Sequence, residues 1–150
     1  MIPRFCKYWL PVLLCSAAMF AFSSDAFSAS HTSRYIDPLI RWFLPHASHA
    51  LHHRIHFFLR KFAHWCEYFI LALFFFRALR ADNPRPLRRE WVVWTLILIL
   101  GYALGDEFHQ SFVPSRTGSL SDSLLDFFGG SCAMTWKYLR YGLREVTRTP

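Results

Sequence analysis

The chain has 150 residues, of which 53% are hydrophobic and 19% aromatic, and its formal net charge is +7. The apolar residues form long blocks without charge, such as 69–76 and 91–104, where a water-soluble chain would show them at helical or strand spacing. The 17 Lys and Arg residues are spread between these blocks and form no single basic face, which argues against nucleic-acid binding. The composition therefore predicts a small integral membrane protein.

The first apolar run extends from Tyr8 to Phe22 and follows Arg4 and Lys7. A cleaved secretory signal is one interpretation, because residues 26–28 form a small-x-small site. The length of the run favours the other interpretation, an uncleaved first span over about residues 8–27.

Residues 31–60, which follow this span, are amphipathic. Ile36, Leu39 and Ile40 recur at helical spacing. Arg34 and Arg41 lie opposite them. We therefore expect a helix that lies on the membrane surface.

Histidines are concentrated in the second half of that segment. His46, His49, His53 and His56 follow each other at steps of three and four, on one helical face. Imidazoles at such steps can share a metal ion. No carboxylate or cysteine is interleaved with them, which favours the polar face of an interfacial helix, and the sequence assigns no metal ligand.

Three further spans are predicted over about residues 62–79, 91–113 and 120–139. With the N-terminus inside, most Lys and Arg residues fall in cytoplasmic segments, so the positive-inside rule predicts that both termini are cytoplasmic. The predicted fold is an all-α membrane protein, a four-transmembrane-helix bundle with an amphipathic, His-rich interfacial segment between spans one and two.

Half of the ten acidic residues lie within or at the edge of the predicted spans. A charge within a span costs about 2.5–3.5 kcal/mol on insertion scales, so each must meet a partner or water. At about 1.5 Å per residue from the cytoplasmic flanks, Glu67 lies roughly 15 Å deep, Asp126 roughly 16 Å and Asp106 roughly 24 Å. Three spans thus place acids in the same outer half of the bilayer, which predicts a shared polar site.

Helical spacing adds further polar side chains to these acids. Lys61, His64 and Tyr68 share one face of the second span, and Arg116 lies in the external turn, where it can neutralise carboxylates or bind a phosphate. The residues of the predicted site are Lys61, His64, Glu67, Tyr68, Asp106, Glu107, Gln110, Arg116, Ser119, Asp122 and Asp126.

Four patterns within these segments resemble the motifs of the VanZ-like membrane protein family. They are K-x-x-H-x-x-E-Y at 61–68, D-E-x-x-Q at 106–110, P-x-R at 114–116 and D-x-x-x-D at 122–126. The resemblance runs from roughly Phe22 to Gly130, and it departs at Ser115, where the family usually has glycine. It implies a small multi-helix envelope protein. The family's namesake is associated with low-level resistance to the glycopeptide teicoplanin, an association that assigns no activity to this chain.

Three functions are compatible with these residues. The leading hypothesis is a bacterial inner-membrane protein whose outward-facing polar site binds an envelope lipid or a lipid-linked or glycopeptide-like ligand. A membrane-embedded, metal-assisted hydrolase or transferase acting on envelope lipids would use His64 or Glu107 as general base. The third interpretation is a purely structural network of ion pairs. No nucleophile elbow, P-loop, GxGxxG or HExxH motif is present, which favours a non-enzymatic role, and no cofactor is assigned.

Overall fold

The computed structural model of the chain describes residues 3–24, 29–83, 87–113 and 119–146. Within these ranges the secondary structure is helical, without strands. The five helices are α1 (Arg4–Phe22), α2 (Ala29–Phe43), α3 (His49–Arg80), α4 (Arg89–Gln110) and α5 (Leu120–Val146). The prediction of an all-α fold is therefore confirmed for the described part of the chain.

Three of these helices, α1, α3 and α4, are long and apolar enough to cross a membrane. They correspond to the first three predicted spans. Leu13, Trp94 and many other large apolar side chains on their outer faces are exposed, as suits surfaces in contact with lipid. Helix α5 corresponds to the predicted fourth span, but it is not among the helices that are apolar enough, by hydropathy and number of charged residues, to be candidate spans.

Helix α3 differs in extent from the second predicted span. It contains 32 residues and includes His49, His53 and His56 in the same continuous helix as the predicted span 62–79. At about 1.5 Å per residue it is about 48 Å long. The sequence contains no Pro or Gly between its ends, and Ser48 caps its start by accepting a hydrogen bond from the Leu51 backbone N–H at 3.3 Å. The segment with His49, His53 and His56 is therefore part of the spanning helix. Of the four histidines of the predicted face, only His46 lies in the turn before it.

The first half of the amphipathic segment predicted for residues 31–60, with Ile36, Leu39 and Ile40, lies in α2. In the described part of the chain, α3 is the main packing partner of α2. Ile40 is buried, while Leu39 and Trp42 remain exposed. Only one side of this helix is thus covered by protein.

Glycines allow α5 to approach both of its neighbours closely. A Cβ atom at Gly129 would lie 2.6 Å from the backbone oxygen of Trp65 in α3. A Cβ atom at Gly130 would lie 2.7 Å from Ile99 Cγ2 in α4. Small residues at helix crossings permit such backbone proximity. Helix α5 is therefore held against α3 and α4, and the apolar core continues below this crossing through side chains such as Leu71 and Ala133.

Polar contacts join the basic end of α1 to the chain just after α3. Lys7 Nζ donates to Asp82 Oδ1 at 2.9 Å, and the Tyr8 hydroxyl donates to the same oxygen. The hydrogen bonds from Tyr8 and from Lys7 lower the pKa of Asp82 below its ordinary value. At the same end of the bundle, Arg80 donates to the hydroxyl of Tyr141 in α5. This end therefore collects the basic flanks of α1, α3 and α5.

Candidate functional site

The opposite end of the bundle brings together polar side chains from four helices. It is formed by the end of α1, the middle of α3, the last turn of α4 and the first turns of α5. We call this group the polar cluster and define it as Ser23, Lys61, His64, Glu67, Tyr68, Asp106, Glu107, Gln110, Ser119, Asp122, Ser123 and Asp126. Its geometry follows from the antiparallel order of the helices, which places the end of α4 beside the start of α5.

Asp106 is hydrogen-bonded through both of its carboxylate oxygens. Its Oδ1 accepts a hydrogen bond from Ser23 Oγ at 2.6 Å, and its Oδ2 accepts one from Gln110 Nε2 at 2.9 Å. Gln110 also donates to Ser23 Oγ at 3.0 Å. All three side chains are buried. The i, i+4 spacing of Asp106 and Gln110 makes their contact possible within one helix face.

Glu107 connects α4 to the start of α5. Its Oε2 accepts a hydrogen bond from the backbone N–H of Ser119 at 2.6 Å, immediately before α5 begins at Leu120. A carboxylate at a helix N-terminus is favoured because the first backbone N–H groups there have no partner within the helix. Glu107 therefore fixes the position at which the chain enters α5.

Two further pairs lie on the α3 side of the polar cluster. Lys61 Nζ forms an ion pair with Asp122 Oδ1 of α5. His64 Nδ1 lies 3.7 Å from Glu67 Oε2, one turn along the same helix. All four side chains are partly buried. Lys61 thus neutralises Asp122, the more accessible of the two aspartates at the start of α5.

Asp126 and Tyr68 lie deeper. Asp126 is 1% exposed and Tyr68 is 0% exposed. Among the described residues, neither Asp126 Oδ2 nor the Tyr68 hydroxyl has a hydrogen-bond partner, and the same holds for Ser123 Oγ. Buried polar atoms are normally satisfied, so this part of the polar cluster has unused donor and acceptor capacity.

Three residues of the polar cluster are close enough to share a metal ion. One ligand atom each from His64, Asp106 and Asp126 lies within 4.8 Å of the others. In the described ranges, His49, His53 and His56 belong to no such group. The structure thus places potential metal ligands at residues that the sequence assigned to a polar site, away from the histidine face.

A groove of about 640 Å³ adjoins the polar cluster between α2 and α3. Apolar side chains such as Ile36 and Phe57 line it, together with the basic and acidic side chains of Arg60 and Asp37. His64 and Glu67 lie in the wall of this groove and also belong to the polar cluster. The groove therefore leads from the exposed side of α3 to the ionisable residues within the bundle.

Two residues that line this groove, Asp37 of α2 and His56 of α3, contact each other. His56 Nε2 donates to Asp37 Oδ1 at 2.5 Å. The hydrogen bond from His56 lowers the pKa of Asp37 below its ordinary value. This contact attaches the interfacial helix to the long helix at the histidine face.

The structure brings together ten of the eleven residues predicted for the site. The remaining one, Arg116, lies outside the described residues. Sequence reasoning did not include Ser23 and Ser123. One feature of the sequence could have indicated Ser23. It lies at the outer end of the first apolar run, at the depth that was inferred for Asp106. Ser123 directly follows Asp122 in sequence. Whether its side chain is buried or exposed depends on the rotation of α5 about its own axis, which the sequence did not indicate.

These features define a class of protein: an all-helical chain with helices able to cross a membrane and with ionisable side chains from several helices collected at one end. A family model described as VanZ/LLP1 matches residues 8–140. The chain therefore belongs to the VanZ/LLP1 family, which confirms the resemblance of its motifs. Comparisons with curated proteins and with solved structures give no match.

Proposed function

We propose that this VanZ-like protein resides in the bacterial inner membrane, crosses it four times and binds an envelope lipid or a glycopeptide-like ligand at the polar cluster. The observation that carries the proposal is the groove between α2 and α3, because its wall is shared with the cluster at His64 and Glu67. A ligand with an apolar part and a polar head fits such a surface, whose lining is mostly apolar with a few charged side chains.

The fourth crossing is proposed from the packing of α5. This helix runs along α3 and α4 from Asp122 at one end of the bundle to Tyr141, which contacts Arg80, at the other. A helix of 27 residues is about 40 Å long at about 1.5 Å per residue, enough to cross a hydrocarbon core of about 30 Å. Asp122 and Asp126, which lower its mean hydropathy, belong to the polar cluster.

The orientation is proposed from the distribution of positive charge. Lys7, Arg80 and Arg140 lie at the end of the bundle opposite the polar cluster, and positively charged flanks favour the cytoplasmic side. The polar cluster then faces outward, with both termini in the cytoplasm.

The ligand chemistry follows from the charges along the groove. Arg60 lines the groove and lies before Lys61, so a phosphate-bearing head group would meet positive charge near the entrance. Arg116, which precedes α5 in the sequence, is proposed as a second phosphate or carboxylate ligand. The carboxylates of Glu67, Asp106 and their neighbours would receive amines, hydroxyls or a cation.

The test is lipid mass spectrometry on protein purified gently from native membranes. Ala63→Trp would fill the groove, and Arg60→Gln would remove its positive charge. Ala50→Trp and Arg54→Gln are the matched controls, since both positions lie on α3 and are exposed but do not line the groove. We expect the wild type and controls to retain the same lipid, and the groove variants to lose most of it.

The same lipid content in all five proteins would contradict the proposal. The ion pair between Lys61 and Asp122 would then favour the purely structural interpretation of the polar cluster.

A further inference from the structure

We propose that the polar cluster binds one divalent transition-metal ion through His64, Asp106 and Asp126. This proposal goes beyond lipid binding, because the ion would belong to the protein whether or not a lipid occupies the groove. The three ligands come from α3, α4 and α5, so a bound ion would connect the three helices at the end where the polar cluster lies.

The distances are close to those of a three-ligand site. The ligand atoms of His64, Asp106 and Asp126 lie within 4.8 Å of one another. Ligands bound to zinc at about 2.0–2.2 Å lie at most about 4.4 Å apart. Small side-chain rotations therefore suffice to bring all three atoms into the coordination sphere. Three protein ligands leave a further position for water or for a ligand group.

The local charge favours a cation. Asp106 and Asp126 are 7% and 1% exposed, and Glu107 beside them is 7% exposed. Buried charges are costly unless they are paired or coordinate a metal. Among the described residues, Lys61 is the lysine or arginine of the cluster, and it already pairs with Asp122. A divalent ion would neutralise the two aspartates that Lys61 does not reach.

Hydrogen bonds orient Asp106, and a carboxylate lies near His64. Each oxygen of Asp106 accepts one hydrogen bond, from Ser23 and from Gln110, and each retains a lone pair. The Glu67 carboxylate lies 3.7 Å from His64 Nδ1. Donors behind a ligating carboxylate and a carboxylate beside a ligating histidine are the usual outer-shell partners of metal sites.

A second observation points independently to a bound species. The hydroxyl of Tyr68 is fully buried and has no hydrogen-bond partner in the described part of the chain. Asp126 and Asp106 lie close enough to interact electrostatically with this hydroxyl. Tyr68 also follows His64 by one turn on the same face of α3. A metal-bound water or ligand oxygen would give this hydroxyl the partner that the protein does not supply.

The donor set selects the class of ion. Calcium and magnesium prefer six or more oxygen ligands, whereas one imidazole nitrogen with two carboxylates suits zinc, manganese or iron(II). We therefore infer an ion of this second group.

The test measures the metal bound to protein that has been purified without added lipid. The affinity tag used for purification contains no histidine. We expect one zinc, manganese or iron ion per chain by elemental analysis. His64→Gln and Asp126→Asn should weaken binding by at least about 100-fold, since even outer-shell substitutions cost about 10–100-fold. The matched controls His52→Gln on α3 and Glu90→Gln on α4 replace the same side-chain types outside the cluster and should bind as the wild type does.

Two measurements keep the test decisive if a ligand variant does not fold. Gln110→Ala leaves all three ligands in place but removes a hydrogen bond to Asp106, and should weaken binding by about 10–100-fold. In the wild type, zinc or manganese should raise the temperature of unfolding, whereas calcium and magnesium should not. Metal-free wild-type protein that binds none of these ions, or equal binding by the wild type and the ligand variants, would overturn the proposal. Neither outcome depends on whether lipid binds in the groove.

Discussion

At position 129 the chain has no room for a side chain. A Cβ atom there would lie 2.6 Å from the Trp65 backbone oxygen, which cannot move without moving α3. Trp65 directly follows His64, and Gly129 lies three residues after Asp126. The glycine therefore sets the distance between the two sides of the polar cluster as well as the packing of α5.

Gly129→Ala is expected to destabilise the protein by about 1–3 kcal/mol, the usual cost of overpacking a tight contact. Thermal unfolding in detergent measures the effect. Gly105→Ala is the matched control, because a Cβ atom at Gly105 meets nothing within 4 Å. Its expected effect is neutral to stabilising by about 0.5–1 kcal/mol, since alanine favours a helix over glycine. Equal stability of the two variants would show that the approach of α5 to α3 is looser than the structure indicates.

At the scale of the elements, the least firmly attached helix is α2. Its main packing partner among the described helices is α3, with Ile40 buried and Asp37 in contact with His56. Because the same two helices form the groove, the position of α2 determines the width of the groove. A change at the Asp37 contact should therefore change the groove without unfolding the bundle.

The Asp37 contact predicts a dependence on pH. The pKa of Asp37 is lowered from its ordinary value of 3.8 by the hydrogen bond from His56. The stabilisation is therefore fully present above pH 3.8 and is lost as the pH falls through the lowered pKa of Asp37. We expect the distance between spin labels at Arg34→Cys on α2 and Arg54→Cys on α3 to increase in that acid range.

Asp37→Asn provides the control for this experiment. In that variant the distance between the two spin labels should have the larger value at every pH, without a transition at acid pH. A transition of equal size in Asp37→Asn would assign the pH effect to another group.

At the scale of the whole molecule, charge is separated along the bundle. The polar cluster lies at one end, and Lys7, Arg80 and their basic neighbours lie at the other. Because positively charged flanks favour the cytoplasmic side of a membrane, this separation is the basis of the proposed orientation.

Cysteine labelling in whole cells tests the topology, in a background without the four native cysteines. Ser121→Cys and Arg140→Cys lie near opposite ends of α5, and both positions are exposed. An impermeant maleimide should label Ser121→Cys in intact cells, but Arg140→Cys and Asn83→Cys only after permeabilisation. Labelling of both α5 positions from outside would contradict the fourth crossing.

The sequence predicted the helical class and three candidate spans, because these depend on the composition and length of apolar blocks, whereas its motifs identified the family. It also predicted that Glu67, Asp106 and Asp126 lie in the same half of the bilayer, because the rise of a helix per residue is fixed. It did not predict that α3 continues from His49 through the span, since the surface-like residues at 49–60 and the apolar residues that follow suggested two segments. It also left Ser23 out of the site, because the partner of that hydroxyl, Asp106, lies 83 positions away in sequence.

Depth along the bundle was thus determined by the sequence, whereas the rotation of each helix about its own axis was decided only by tertiary packing. Rotation depends on contacts between distant segments, such as Gly129 against Trp65 and Gly130 against Ile99. Those contacts determine that Asp122 meets Lys61 while Asp126, one turn further along α5, faces His64 and Asp106. No periodicity within a single helix contains that information.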